Sequence, residues 1–281
     1  MDRKRLDMMN ERMKKARPRL DVERARLVTE AYEKYGDTTP VLRRAMAFAY
    51  ILDNMEVNMQ PGELIVGSQT RYVRGVPVFP EFGAKWIMDE IDIFPKRTTD
   101  PIQVTPEDRE ELLTILKKWG DNTFDIQATK ELDPYVLKAQ ECGVLSVGAR
   151  TTGMGHISPD YSRILPEGLK GVIGRAEEML RRTEVKTPED MRKVDFWHAN
   201  IISCQAVIRF AHKFSAYAQK LALKENEPQR KKELFKIAEV CSHVPENEPG
   251  DFWEAVQFVW FLQLTMQIED NGHSIALGRL D

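Results

Sequence analysis

Cysteine is scarce in this chain, net charge is close to zero, and long apolar runs are missing. Each shortage excludes something. Cys142, Cys204 and Cys241 make no CxxC pair and no metal-ligand spacing, and an odd number of cysteines argues against a disulfide frame. The 41 basic and 44 acidic residues balance to −3, so bulk charge points to neither nucleic acid nor an acidic partner. A membrane-spanning helix needs roughly 20 apolar residues. The most apolar stretch, 251–268, is broken by Glu254, Gln257, Gln263 and Gln267. The first twenty residues are locally basic (Arg3, Lys4, Arg5, Arg12, Lys14, Lys15, Arg17, Arg19), but no apolar segment follows to make a signal peptide. Such a start serves either a nucleic-acid arm or, the reading adopted, a solvated amphipathic helix. The expected location is the cytoplasm, without membrane or nucleic-acid contact. Neither the phosphate-binding pattern G-x-x-x-x-G-K-[ST] nor the G-x-S-x-G nucleophile turn occurs, which leaves no case for a P-loop or a serine hydrolase.

What the chain does contain is helical periodicity. Helices are predicted over 22–35 and 40–54, the second with Thr39 as N-cap and Pro40 in its first turn. Others are expected near 84–91, from Thr105-Pro106 onward, over 166–182, over 188–224 capped by Thr187, and over 228–243. Residues 64–67 form a short strand candidate after the turn at Gln60–Glu63. The stretch 251–281 organises the rest. DFWEAVQFVWFLQLTMQIED is apolar on nearly every side and passes into the polar turn NGHSIALGRLD. A surface helix shows one apolar stripe, so this one is expected to be buried all round. A core helix placed at the end of the sequence also leads us to expect that the chain is the front part of something longer.

Two histidines stand at turns. His156 follows the glycine-rich stretch GVLSVGARTTGMGH, and His273 with Ser274 follows the core helix. Both are open to a structural reading, as satisfied loop residues. Read functionally, glycines 148, 153 and 155 let backbone approach a small ligand, and the imidazoles and hydroxyl supply donors and acceptors for a hydroxylated or carbonyl substrate. Metal binding through the two histidines lacks further ligands. Cys204 and Cys241 fall in helix interiors, where cysteine acts as a small hydrophobe. Cys142 alone is placed as a reactive thiol could be.

At these residues the chain resembles the glycyl radical enzymes of the pyruvate formate-lyase type, above all their diol dehydratase branch, which includes B12-independent glycerol dehydratase. The resemblance runs over nearly all 281 residues. It is carried by ERARLVTEAY (23–32), PVLRRAMAFAYIL (40–52), GELIVGSQT (62–70), VFPEFGAKWIMDEID (78–92), GHISPDYSRILPEGLKGVI (155–173), FWEAVQFVWF (252–261) and IEDNGHSIALGRLD (268–281), in that order.

The resemblance implies a mainly α chain, residues 1–281 forming the N-terminal helical portion of the family's ten-stranded α/β barrel. It implies radical chemistry on a small 1,2-diol such as glycerol or propanediol. A glycyl radical near the C-terminus is installed by an activase that uses S-adenosylmethionine and an iron–sulfur cluster. That radical oxidises a cysteine, whose thiyl form abstracts hydrogen from substrate. His156, His273 and Ser274 match the family's substrate-binding positions. Where the diol dehydratases carry an asparagine, this chain has Ala149-Arg150, and Arg150 suits a carboxylate or sulfonate. The glycine-cysteine loop and the R-V-x-G-Y segment are not within these 281 residues, so no catalytic residue, metal or cofactor is assigned here, and Cys142 is set aside. A homo-oligomer is expected. The alternatives are a lyase acting on pyruvate, choline or a hydroxysulfonate, and a non-catalytic helical module.

Overall fold

The computed structural model describes residues 3–146, 150–153, 155–272 and 274–278. Helices dominate, as the periodicity predicts. α1 covers Arg3–Lys15, α2 Glu23–Lys34, α3 Pro40–Asn54, α4 Lys85–Glu90, α5 Pro106–Trp119, α6 Phe124–Lys130 and α7 Pro134–Glu141. They continue with α8 at Tyr161–Ile164, α9 Gly168–Arg182, α10 Pro188–Lys224, α11 Pro228–His243 and α12 Phe252–Glu269. Among the described residues, no helix is long and apolar enough to cross a membrane. The basic start is a helix with no buried residue, α1, in keeping with the solvated reading.

Local chemistry sets the boundaries. Thr105 Oγ1 accepts the Asp108 amide at 3.1 Å to open α5. Thr187 and Asp190 cap each other's backbone amides to open α10, with Pro188 in the first turn. At 37 residues, α10 is about 55 Å long. It is the spine against which α3, α9 and α11 pack. Ala206, Ala211, Ala218 and Ala222 on α10 are buried, and residues of that size let neighbouring helices approach closely. Phe210 and Phe214 fill the space between, with Phe214 5.7 Å from Phe261 of α12. Lys213 closes the end of α3, its Nζ donating to the carbonyls of Leu52, Asp53 and Met55 at 2.6–3.0 Å.

Two three-residue strands were not anticipated. β1 (Arg19–Asp21) and β2 (Gly75–Pro77) pair in parallel, Leu20 opposite Val76. The expected strand over 64–67 is instead bent, irregular backbone held by side chains of α12. Gln257 accepts the Val66 amide at 2.8 Å and donates to the Val66 carbonyl at 2.9 Å, standing in for a neighbouring strand. Trp253 and Trp260 donate to the carbonyls of Leu64 and Gly67.

α12 itself corrects the expectation of burial on every side. Phe258, Phe261, Leu264 and Ile268 are buried, but Phe252 is 84% exposed and Trp260 is 36% exposed. Glu254, Gln257, Gln263 and Thr265 are buried in their place. The polar residues mark the inward face because Gln257 satisfies backbone that would otherwise be orphaned.

The start of α10 carries a pH dependence. Asp190 is held down from 3.8 to about 2 by the Thr187 hydroxyl, the Lys193 ammonium and the Lys186 amide. A carboxyl depressed in the folded state contributes stability above its unfolded value and loses it as pH falls through its folded one. The first turn of α10 should therefore open more readily as pH drops from about 4 toward 2, and amide exchange at residues 187 and 189–191 should show Thr187→Ala weakening the effect.

Candidate functional site

The site begins where α12 ends. The last carbonyls of a helix have no intrahelical donor, and this end is half-buried around a buried Ile268. Arg24 of α2, itself 3% exposed, donates from Nε to the Ile268 carbonyl at 2.6 Å and from Nη2 to the Glu269 carbonyl at 3.1 Å. Its other N–H groups reach the Val78 carbonyl and both oxygens of Glu81, and its guanidinium lies 3.6 Å over the Phe79 ring. Arg44 of α3 pairs with the carboxylates of Glu269 and Asp270.

The chain then turns. Asp270 Oδ1 accepts the Gly272 amide at 2.7 Å, a local aspartate turn. Asn271 reaches across to the glycine-rich loop, accepting the Gly153 amide at 2.6 Å and donating to the Thr151 carbonyl at 3.1 Å. A methyl group on Gly153 would stand 1.9 Å from Asp270 Oδ1, so any side chain there forces the Asp270 carboxylate to move. The close approach seen at Gly153 is to the other loop's carboxylate. Glycine 148 lies outside the described residues.

A few residues on, the two loops pair directly. Ile157 donates its amide to the Ser274 carbonyl at 3.1 Å and accepts the Ala276 amide at 2.8 Å, a parallel bridge between Ile157 and Ile275. His156 and Ser274 immediately precede the bridged residues, and both are exposed on this chain. His156 takes φ of 62°, a left-handed conformation that costs a non-glycine residue about 1–2 kcal/mol. His273 lies outside the described residues.

Arg150 is half-buried at the start of the same loop. Its Nη2 donates to Gln140 Oε1 at 3.2 Å, while Nη1 is buried without a partner. Beneath the turn a cavity of about 340 Å³ is lined by Leu20, Phe79, Trp86, Thr151 and Asn271, among others. His156, Ser274 and Arg150 do not line it.

Cys204 and Cys241 are held as thiols. Burial pushes the thiol of Cys204 up to about 11 and that of Cys241 up to about 12. Cys142 closes α7 and is exposed. Among the described residues, no group of three or more histidine, cysteine or carboxylate side chains is placed to hold a metal. Sequence reasoning passed over Arg24, Asp270 and Asn271. Arg24 was the legible one, because it sits four residues from Val28 and seven from Ala31 on the buried stripe of α2.

All of the chain, residues 1–281, matches the sequence profile of the family described as pyruvate formate lyase-like. The chain belongs to that family. This pyruvate formate lyase-like chain is 35% identical over 268 residues to (2S)-3-sulfopropanediol dehydratase of Klebsiella oxytoca, covering 93% of itself and 32% of that protein. It superposes on the glycerol-bound B12-independent glycerol dehydratase of Clostridium butyricum with a TM-score of 0.96 and 36% identity, covering 99% of itself and 36% of that chain. A glycyl radical enzyme of Archaeoglobus fulgidus matches with a TM-score of 0.91 at 31% identity, over 98% of this chain and 35% of that one. The chain spans about a third of the length of the relatives it matches. Family and mainly helical fold are therefore as the sequence led us to expect.

The loop clasp makes a direct prediction. Gly153→Ala should destabilise the chain by about 1–3 kcal/mol, the usual cost of overpacking, and by much less on an Asp270→Ala background. Urea unfolding of the two single variants and the double variant measures that coupling.

Proposed function

We propose that this chain forms one wall of the substrate cavity of a cytoplasmic glycyl radical dehydratase acting on a small 1,2-diol. The observation that carries the reading is the pairing of Ile157 with Ile275, which sets His156 and Ser274 side by side from loops more than a hundred residues apart. The likeness to dehydratases of glycerol and of sulfopropanediol supports it.

In that enzyme a glycyl radical, installed by an S-adenosylmethionine-dependent activase, supplies the thiyl that abstracts hydrogen. The segments that bear both radicals in the family are not within these 281 residues. What the chain's own residues do is bind and orient. An imidazole can donate from one ring nitrogen and accept on the other, and a serine hydroxyl can do either. His156, His273 and Ser274 hold the two hydroxyls of the diol and keep a donor at the oxygen that leaves as water, where charge develops. Arg150 adds a second feature. Its buried, unpartnered Nη1 favours a diol that carries a carboxylate or sulfonate, since a guanidinium takes such groups with two parallel bonds. The wider assembly is read as a homo-oligomer.

The test is anaerobic activation of the complete enzyme, with a glycyl doublet in electron paramagnetic resonance as the first requirement. His156→Ala and His273→Ala should each lower kcat/KM for the diol about 10- to 100-fold, the scale of one or two lost hydrogen bonds in a dry site. Arg150→Met should cost an anionic diol such as sulfopropanediol a similar factor and leave glycerol nearly unchanged. Wild-type rates in both histidine variants would remove those residues from the cavity. Equal losses on charged and uncharged diols would remove Arg150 from substrate recognition.

A further inference from the structure

We infer that Arg24 is a positioning residue for the substrate-binding turn, a role that rests on the dehydratase reading above but reaches beyond its substrate-contacting residues. Arginine has five N–H donors in a rigid fork, and here all five are engaged. The acceptors are the Ile268, Glu269 and Val78 carbonyls and the two oxygens of Glu81. Two of them are the terminal carbonyls of α12, and the turn that leads to Ser274 starts at the very next residue. The other three belong to segment 78–81, where the Phe79 ring lies flat against the same guanidinium. One buried cation thereby ties α2, segment 78–81 and the end of α12 into a single body.

The consequence is directional. With Ile268 and Glu269 fixed, Asp270 and Asn271 leave the helix on a defined course. Asn271 then meets the Thr151 and Gly153 backbone, and the Ile157–Ile275 bridge follows. Among the described residues, Arg24 touches none of those proposed to bind substrate and reaches the turn through the helix end. Arg44 does not duplicate this role, because it grips the Glu269 and Asp270 side chains from a half-exposed position and leaves the carbonyls alone.

Lysine keeps the charge but has three donors on one atom, so it cannot serve helix end and Glu81 together. Glu81→Gln, in contrast, removes the ion pair and leaves the bonds to Ile268 and Glu269. In Arg24→Lys, amide exchange over residues 270–278 of the chain should rise at least tenfold, while that of α10 stays the same. In Glu81→Gln the turn should keep wild-type protection. In the complete activated enzyme, Arg24→Lys should give the same glycyl doublet as wild type with at least tenfold lower kcat/KM for the diol, and Glu81→Gln should stay within about threefold. Should Arg24→Lys fail to fold, the charge-neutral Arg24→Met/Glu81→Met pair tests the same point and must show the same local rise in exchange. Equal exchange in Arg24→Lys and Glu81→Gln, or no change over 270–278, overturns the assignment. If the wild-type enzyme never turns over a diol, the dehydratase reading fails, while the exchange contrast still decides whether Arg24 sets the turn.

Discussion

A helix whose end is half-buried must find donors for its last carbonyls, and the candidate site is built on how α12 meets that demand. The Ile268 carbonyl is bonded within buried surroundings and the Glu269 carbonyl in half-buried ones, and leaving such a group bare would cost about 1–3 kcal/mol. The Arg24 guanidinium serves both and has its own charge balanced by Glu81. A buried ion pair is weak evidence for net stability, because desolvation offsets most of the attraction. The guanidinium's use here is geometric. The Arg24 guanidinium, rather than the pairing with Glu81, holds the end of α12 in register, and the loop contacts farther along need that register to form.

α12 is held at its other end by the same logic with different groups. Gln257 occupies both hydrogen-bonding groups of Val66, and two tryptophan N–H groups take neighbouring carbonyls. A positive φ of 125° at Gly67, with Leu264 2.6 Å from where a methyl group would sit, lets that segment lie directly against the helix. Helix and segment therefore move as one. Placement of residues 270–272 then follows from the end of α12, where Arg24 holds the last carbonyls. His156 shows what that placement sustains. It holds a left-handed conformation next to a residue with both backbone groups paired, and strain of that kind persists where the surroundings over-determine it.

Much of this was readable from residues. Pro40, Pro106, Pro188 and Pro228 each open a helix within a residue of the expected place, since proline in the first turn gives up only an amide that has no partner. β1 and β2 were not readable, because three residues are too few to show alternation and their pairing joins segments more than fifty residues apart. α6 and α7 were missed because they are short and bury no side chain, so no apolar stripe announces them. The inward face of α12 was misjudged for a different reason. Hydrophobicity ranks glutamine as a surface residue, and nothing in the sequence says that a segment elsewhere will need its amide. The loop pairing was legible only as two polar turns with histidines. Asn271 and Gly153, which join them, carry no spacing signal at all.

The exposure of His156 and Ser274 bears on what this chain can do alone. Eliminating a hydroxyl through a radical intermediate requires donors whose effect is not diluted by solvent, and a site from which water is kept out. On an open face, water competes for each imidazole and hydroxyl, and the hydrogen bonds lose most of their orienting value. The structure supplies position without enclosure. A paired backbone holds the donors in place, and Arg150 is half-buried with Nη1 unpartnered. In the proposed enzyme, enclosure must come from protein that covers this face. Binding geometry belongs to these residues and dryness to the covering surface. Changes in the loops should therefore alter which diol is accepted, and changes in the covering surface should alter how well the radical survives.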